Sequence, residues 1–582
     1  MRPYRLLAAT ALILTSVHAI PALATTSENV QDIKAPDELN VLNAKERKQF
    51  AAIYTAIHGG KWSEAEQLIN AVPTGPMTSM ARAELYLASG SPRVEVSALK
   101  SLLEQAPYLP QAEQIERLAI KRGAENLPQR PGTQQFSYLG SAPKRDLPDN
   151  IADATSLRDQ IQLFIRNDDP ASAENLIETS AQSLSSPALA ELRYRVAWSY
   201  YIENDDINAR RVAGAARVMG GDWGAQAQWA YALSSWRLKD YAAAFDGFDF
   251  VSKYAGNDDL RAAGLYWSAR AAMAAKKPAQ IQPRLQNAAR LPETFYGILA
   301  SETLGMEPLA RKQARVKKLD WDGLKKSENV QIAVGLNEIG QSRLADETIR
   351  FQARIGEARN HTELAQLAGA LNLPSTQLWL SHYGPANGNG DALARYPAPN
   401  WTPSGGWRVD SSLVYAHALQ ESAFRTGVIS SAGARGLLQV RPGTAQDMAR
   451  DRGASLDASD LDSPSINLEY GQSYMEKLRD MAATGGLLPK VIAAYNAGPS
   501  PIARWNTEIR DNGDPLLFIE SIPYWETRGY VAIILRNYWI YEMRSGKNGG
   551  SMTGLAQHLW PRFPDKKGSS SVRVLGGSIA AR

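Results

Sequence analysis

From about residue 36 to residue 356 the chain is dominated by Ala, Leu, Arg, Glu and Gln, with few runs of β-branched residues. These residue types lose little on entering a helix, so a stretch of this length and composition predicts helix after helix and leaves little room for a sheet. Residues 186–213, 224–238 and 260–275 each carry apolar side chains three and four apart, the spacing of an amphipathic helix. Trp198 and Trp229 stand 31 residues apart, as do Trp236 and Trp267. That interval is close to the period of helix-hairpin repeats, and Gly220-Gly221-Asp222 and Lys239-Asp240 fall where such hairpins would turn. Two readings follow: a degenerate α-solenoid, which the spacing favours, or a non-repeating helical domain whose tryptophans are core residues.

At 582 residues the chain exceeds what one hydrophobic core supports, so at least two domains are expected. Residues 350–381 read as further helices. Residues 383–407 then concentrate breakers: Gly384-Pro385-Ala386-Asn387-Gly388-Asn389-Gly390, Pro397, Pro399, Pro403 and Gly405-Gly406. This density argues against regular structure and is taken as a boundary. The N-terminus carries Arg2 and Arg5, a mainly apolar run over 6–19 and the small-residue site Ala22-Leu23-Ala24, the layout of a cleavable export signal. The run is shorter than the ~20 apolar residues of a spanning helix, so no stable membrane anchor is expected. The expected division is a signal at 1–24, a helical superhelix at 25–348, a helical linker and breaker-rich boundary at 349–404, a second domain at 405–545 and a flexible tail at 546–582, with a short helix around 552–559.

The absence of cysteine excludes disulfides, thiol-ligated metals and a cysteine-linked lipid anchor. A formal net charge of +4 is too small to imply nucleic acid as a partner; it permits a mild preference for an anionic polymer.

Chemistry-bearing residues gather after the boundary. Residues 411–423 predict a helix capped by Asp410, Ser411 or Ser412, with Leu413, Ala416, Ala418 and Leu419 on its apolar face. Glu421 falls in its last turn, where the helix dipole and a partly apolar setting both favour the protonated carboxyl, the form needed by a general acid. A lone helical Glu is far more often a solvated surface group. Its neighbours change the odds. Gly433-Ala434-Arg435-Gly436-Leu437-Leu438-Gln439-Val440 places Gln439 in a glycine-rich turn, and Thr444 with Asp447 resembles a capping box for the next helix. Ser463-Pro464 opens another helix, whose Tyr470 and Tyr474 read as core. Tyr495-Asn496-Ala497-Gly498-Pro499 closes a third; a helix stop accounts for Asn496 to Pro499 but not for Tyr495. Residues 518–531 combine Glu520, Glu526 and Arg528 with Tyr524, Trp525 and Tyr530, the mixture of flat faces and fixed polar groups found in sugar-binding clefts. Exposed charges beside core aromatics would read the same way.

The order Glu-Ser, Gly-Leu-Leu-Gln, Ala-Tyr-Asn-Ala-Gly and Glu-Ser-Ile-Pro-Tyr-x-Glu-Thr-x-x-Tyr-Val, within about 110 residues, resembles the soluble lytic transglycosylase family. The resemblance covers about 409–541, with Leu438 and Val440 where Met and Ile are commoner. More loosely, the helical half resembles the ring-forming superhelical domain of the large members, and Glu293-Thr294-Phe295-Tyr296-Gly297 resembles a stretch near its end. The resemblance implies a mainly α fold, an α-superhelix followed by a lysozyme-like α+β catalytic domain, with Glu421 as the catalytic residue. It implies Ser422, Gln439, Tyr495, Asn496, Glu526 and Tyr530 as substrate-binding residues, peptidoglycan glycan strands as partner, the periplasm as location, and neither cofactor nor metal. The implied reaction cleaves the bond between N-acetylmuramic acid and N-acetylglucosamine with one carboxyl, first acid and then base, closing a 1,6-anhydro ring. Two rivals stay open: a hydrolytic lysozyme in which Glu520 or Glu526 places water, and a solenoid scaffold that only binds glycan.

Overall fold

The computed structural model describes residues 39–217, 221–307, 319–386, 392–547, 549–565, 570–575 and 578–579. The expected export signal lies outside them. The fold is mainly helical, and among the described residues no helix is long and apolar enough to cross a membrane.

The hairpin repeat is present. Helices Ser186–Ile202, Gly221–Arg237 and Asp258–Ala274 alternate with Asp206–Ala215, Tyr241–Tyr254 and Ile281–Ala289, each packed on its neighbours. The tryptophans bind successive hairpins together: Trp267 meets Trp229 with ring centroids 6.4 Å apart and Trp236 at 5.4 Å, both edge-on. Trp267 is fully buried, so its truncation to Ala should cost about 3–5 kcal/mol. Asp205, Asp240 and Asn257 cap three of these helices, accepting from Asn208 N, Ala243 N and Leu260 N.

Before this array stands a second helical block drawn from two distant segments. Residues 39–119 share one hydrophobic core with residues 324–394. Helix Pro76–Leu87 packs on Glu328–Glu338, and strand Phe136–Tyr138 pairs antiparallel with Tyr383–Pro385. The Glu338 carboxylate accepts from Val41 N at 2.7 Å and pairs with Arg47 at 2.9 Å. The two ends of the helical region therefore meet.

Three expectations are corrected. The division at 348/349 falls inside helix Ser342–Ile355, because helices on both sides of it fill the same core. The breaker-rich 383–407 begins with a strand, since Tyr383–Pro385 finds an extended partner some 245 residues earlier that local composition cannot reveal. The flexible tail does not begin at 546. Helix Gly550–Ala556 packs on Phe295–Thr303, with Met552, Leu555 and Trp560 buried, and the Trp560 indole donates to Gly513 O at 2.9 Å.

The second half of the chain is built on the same core as the hairpin array. Its centre is helix Trp525–Arg544, against which Ser411–Ser422 and Leu488–Ala497 pack. Extended structure between 405 and 545 consists of single bridges, Ile429 with Arg435, Arg435 with Val440, and Leu487 with Arg562. The stretch Glu293-Thr294-Phe295-Tyr296-Gly297 is the joint between the halves. Thr294 caps helix Phe295–Thr303, Phe295 stacks on Trp539 at 5.1 Å, and the Tyr296 hydroxyl donates to Glu520 at 2.7 Å.

Candidate active site

Helix Ser411–Ser422 forms as its sequence predicts. Asp410 caps it by accepting from Ser412 N at 2.8 Å, and Leu413, Val414, Ala416 and Ala418 bury one face. It stops because Ala423 and Phe424 both turn left-handed, at φ 52° and 60°, a conformation that strains non-glycine residues. Burial of Phe424, 2% exposed, anchors that turn.

Glu421 sits half-buried in the last turn of this helix. The Tyr530 hydroxyl donates to its Oε1 at 2.5 Å across from helix Trp525–Arg544. Burial pushes the carboxyl up from the ordinary range to about 7, the Tyr530 hydrogen bond pulls the other way, and the charge of exposed Glu526 adds to the rise. Loss of hydration therefore outweighs the hydrogen bond. A carboxyl poised at about 7 holds a proton and can release it, the property of a general acid and base in one group.

The glycine-rich loop approaches from a second side, and Asn467 builds it. From helix Pro464–Asp480 its amide donates to Arg435 O at 2.9 Å and Leu461 O at 2.8 Å, while its oxygen accepts from Leu438 N at 2.8 Å. Gly436 passes directly over that amide with φ 73°; a Cβ there would stand 2.2 Å from Asn467 Nδ2, so only glycine fits. Gln439, at φ 46°, turns its amide nitrogen onto Gly436 O at 2.9 Å and Val428 O at 3.2 Å. Its side chain thus braces the loop through the nitrogen and has only the amide oxygen left for a ligand.

Tyr495 and Asn496 connect the pieces. The Tyr495 hydroxyl donates to Leu438 O at 2.7 Å, and its ring lies 5.4 Å from Tyr474. Asn496 Oδ1 accepts from the Thr527 hydroxyl at 2.6 Å, tying the end of helix Leu488–Ala497 to the first turn that carries Glu526. Behind Glu421, one turn earlier, the buried His417 ring packs 4.8 Å from Tyr495 and 6.0 Å from Tyr530. Its Nδ1 shares a 2.9 Å hydrogen bond with Leu413 O, and burial lowers its pKa to about 4, so it stays neutral.

Glu421, Gln439, Tyr495, Asn496, Glu526 and Tyr530 are therefore gathered around one place. Ser422 is not presented to it: the side chain is 1% exposed and donates to Ala418 O at 3.1 Å, because the last helical turn points it inward. Nor is Glu520, which is buried against Arg145 and Tyr296 at the joint. Arg528 is no surface charge; it is 4% exposed and lies over the Trp198 ring at 3.8 Å. Thr444 and Asp447 make no capping box, since helix Pro442–Arg450 begins two residues earlier, where Pro442 already fixes the helical φ. Sequence reasoning missed Asn467, His417 and Thr527. A polar Asn between Ile466 and Leu468 on a half-buried helix was the one available signal. Among the described residues no group of three or more acidic or imidazole side chains is placed to hold a metal.

Comparison with known proteins bears on this arrangement. Residues 402–517 match the transglycosylase SLT domain model, which ends before Glu526 and Tyr530. The soluble lytic murein transglycosylase of Escherichia coli K12 is 34% identical over 207 residues, covering 33% of this chain and 30% of that protein. Its Salmonella typhimurium counterpart is 32% identical over 210 residues, with the same coverage. The chain thus spans less than a third of the length of these relatives. Among solved structures, the 70-kDa soluble lytic transglycosylase of Escherichia coli superposes with a TM-score of 0.52 at 16% identity, covering 86% of this chain and 97% of that one. An inactive mutant of the Pseudomonas aeruginosa lytic transglycosylase gives a TM-score of 0.51 at 19% identity, covering 87% and 83%. These two likenesses establish the shared fold over both halves.

Proposed function

We propose that the chain is a soluble lytic transglycosylase, an exported, periplasmic enzyme that cleaves peptidoglycan with Glu421 as its single general acid and base, a reading supported by the match of residues 402–517 to the transglycosylase SLT domain. The observation that carries this reading is the half-buried Glu421 carboxyl, raised to about 7 and held by Tyr530.

In the proposed reaction, Glu421 protonates the glycosidic oxygen between N-acetylmuramic acid and N-acetylglucosamine, and the C1–O bond breaks. Positive charge develops at the muramyl C1, where the substrate's own acetamide or neighbouring groups support it. The Glu421 carboxylate formed in this step keeps the Tyr530 hydroxyl as donor, a hydrogen bond that strengthens as charge appears. It then takes the proton from the muramyl C6 hydroxyl, whose oxygen bonds to C1 and closes the 1,6-anhydro ring. Water is not consumed. Ordinary glycosidases need a second carboxyl across the bond. Here Glu520 is sequestered at the joint, and among the described residues Glu526 is the one other carboxylate whose charge reaches Glu421.

Gln439, Tyr495 and Asn496 would line the sugar path, with the loop that Asn467 fixes as its wall. The helical half, whose ends meet, would hold long strands and present them to this path, so a fragment lacking it should act poorly on intact sacculi.

Product analysis tests the reading. Mass spectrometry of digested glycan strands should find muramyl ends one water lighter than hydrolysed ends, and none with Glu421→Gln. Hydrated reducing ends from the wild type would assign a hydrolase instead, with Glu526 as its second carboxyl.

A further inference from the structure

A narrow crevice lies between the hairpin array and the back of helix Trp525–Arg544. One wall is Lys144, Arg145, Asp259 and Phe295; the other is the helix face Trp525, Arg528, Gly529, Ala532, Ile533 and Arg536, with Glu520 at its base. This face is opposite to the one that presents Tyr530 to Glu421, since residues 528, 532 and 536 recur one turn apart while 527, 530 and 534 point the other way.

The charges in the crevice do not balance. Arg145 pairs with both acids, at 2.6 Å from Glu520 and 3.3 Å from Asp259. That uses both carboxylates and leaves two further guanidiniums. Arg528, 4% exposed, donates from Nε and Nη2 to Ile522 O at 3.1 and 3.0 Å and lies over Trp198 and Trp525. Arg536, 6% exposed, bonds Pro143 O and Asn537 Oδ1. Neither forms an ion pair of its own; the Glu520 charge also reaches Arg528, so two carboxylates are shared among three guanidiniums. Lys144 stands at the rim, 61% exposed, with Asp146 at 3.2 Å. Carbonyls and rings satisfy the N–H groups of the two arginines but do not cancel their charge, and an uncancelled buried cation is expensive. The floor is small and apolar: Gly529 and Ala532 leave space, and a Cβ built on Gly529 meets nothing within 4 Å.

We propose that this crevice is a binding site for a small carboxylate, which enters between Lys144 and Trp525 and neutralises Arg528 and Arg536. Burial lowers the Arg528 pKa to about 10 and the Arg145 charge adds to the fall, which the shared Glu520 charge opposes without offsetting. The free volume of the crevice, about 20 Å³, admits the end of a molecule rather than its body, so the carboxylate comes from a free small acid or from the C-terminus of a peptide. The site is independent of the reaction assigned to Glu421.

Thermal unfolding of the full chain tests it, in potassium acetate, in acetyl-D-alanyl-D-alanine and in inorganic phosphate, each against potassium chloride of equal ionic strength. Acetate should raise the transition temperature saturably. A comparable rise with the dipeptide assigns peptide ends as ligands; its absence assigns free small acids. Lys144→Glu should weaken the apparent affinity at least tenfold. Gly529→Leu places a side chain on the floor at a position where a Cβ meets no atom within 4 Å and improves helix propensity, so it should fold and abolish the acetate effect. No rise beyond chloride, a rise with phosphate alone, or an acetate effect unchanged in both variants would overturn the proposal.

Discussion

The Tyr530 hydroxyl lies 2.5 Å from Oε1 of Glu421 and donates to it, joining the last turn of helix Ser411–Ser422 to the second turn of Trp525–Arg544. A donor in this position stabilises the carboxylate, so it opposes the burial that raises the group to about 7. Tyr530→Phe removes the donor and keeps the ring. The Glu421 pKa should then rise further, and the alkaline limb of the pH–rate profile, where the acid is lost, should move to higher pH. The maximal rate should fall about tenfold or more, because the carboxylate formed on proton transfer loses a hydrogen bond to a charged group, worth ~1.5–3 kcal/mol. A limb that stays in place while the rate falls would mean that Tyr530 only packs.

Glu526 acts with the opposite sign. Its charge helps to keep the Glu421 proton in place, so Glu526→Gln should lower the Glu421 pKa and draw the alkaline limb to lower pH. Glu526 is exposed, and salt screens such couplings. The displacement should therefore shrink as ionic strength rises, whereas that of Tyr530→Phe, which acts through contact, should not. The same profiles recorded at two salt concentrations check both.

Glu421→Gln keeps the size of the side chain and its hydrogen bond from Tyr530 but cannot transfer a proton. Lysis of sacculi should fall by about 10²–10⁴-fold, the contribution of a positioned acid and base, while sedimentation with insoluble peptidoglycan is retained. The variant should also change the stability profile. A carboxyl raised on folding contributes stability that is fully present below its unfolded pKa and is lost as pH rises through about 7. The wild type should therefore lose more stability between pH 5 and pH 8 than Glu421→Gln does, and unfolding midpoints at those pH values measure the difference.

Asn467→Ala leaves Leu438 N, Arg435 O and Leu461 O without their shared partner. Orphaned buried groups cost about 1–3 kcal/mol each when water cannot reach them. The expected outcome is a loss of about 3 kcal/mol, read as a lower midpoint in urea, with an activity loss that exceeds the stability loss because the Gln439 loop is released. Asn467→Asp restores only the acceptor and should recover part of the stability.

The helical class, the hairpin spacing and the ordered residues around Glu421 were legible because each rests on a local pattern: periodicity over one or two turns, a cap, or a turn. What was not legible depends on partners distant in sequence. Tyr383 forms a strand because Tyr138 stands opposite, and Trp560 is buried by partners that include Phe518, 5.3 Å from its ring, and Gly513, which accepts its indole. Ser422 and Glu526 both read as polar neighbours of the site, yet the first points into the core and the second into solvent. A helix one residue longer or shorter would exchange such roles, and sequence patterns locate helix ends no better than that. Glu520 was a plausible second carboxyl until the joint between the halves claimed it.

Glu520 therefore separates the readings of the whole site. It is 1% exposed, pairs with Arg145 at 2.6 Å and accepts from Tyr296 at 2.7 Å. Glu520→Gln retains the shape and can still accept from Tyr296, but it removes the charge opposite Arg145. Breaking one half of a buried pair costs ~3–5 kcal/mol, and the lower end applies because Asp259 still faces the guanidinium at 3.3 Å. Two outcomes follow from a structural role: a lower unfolding midpoint, and an unchanged alkaline limb in the pH–rate profile of the molecules that remain folded. A water-placing Glu520 would give the reverse, an intact midpoint with product formation lost. Since the carboxyl group is held by Arg145 and Tyr296 at the joint, and its charge is not among the influences on Glu421, the first result is expected.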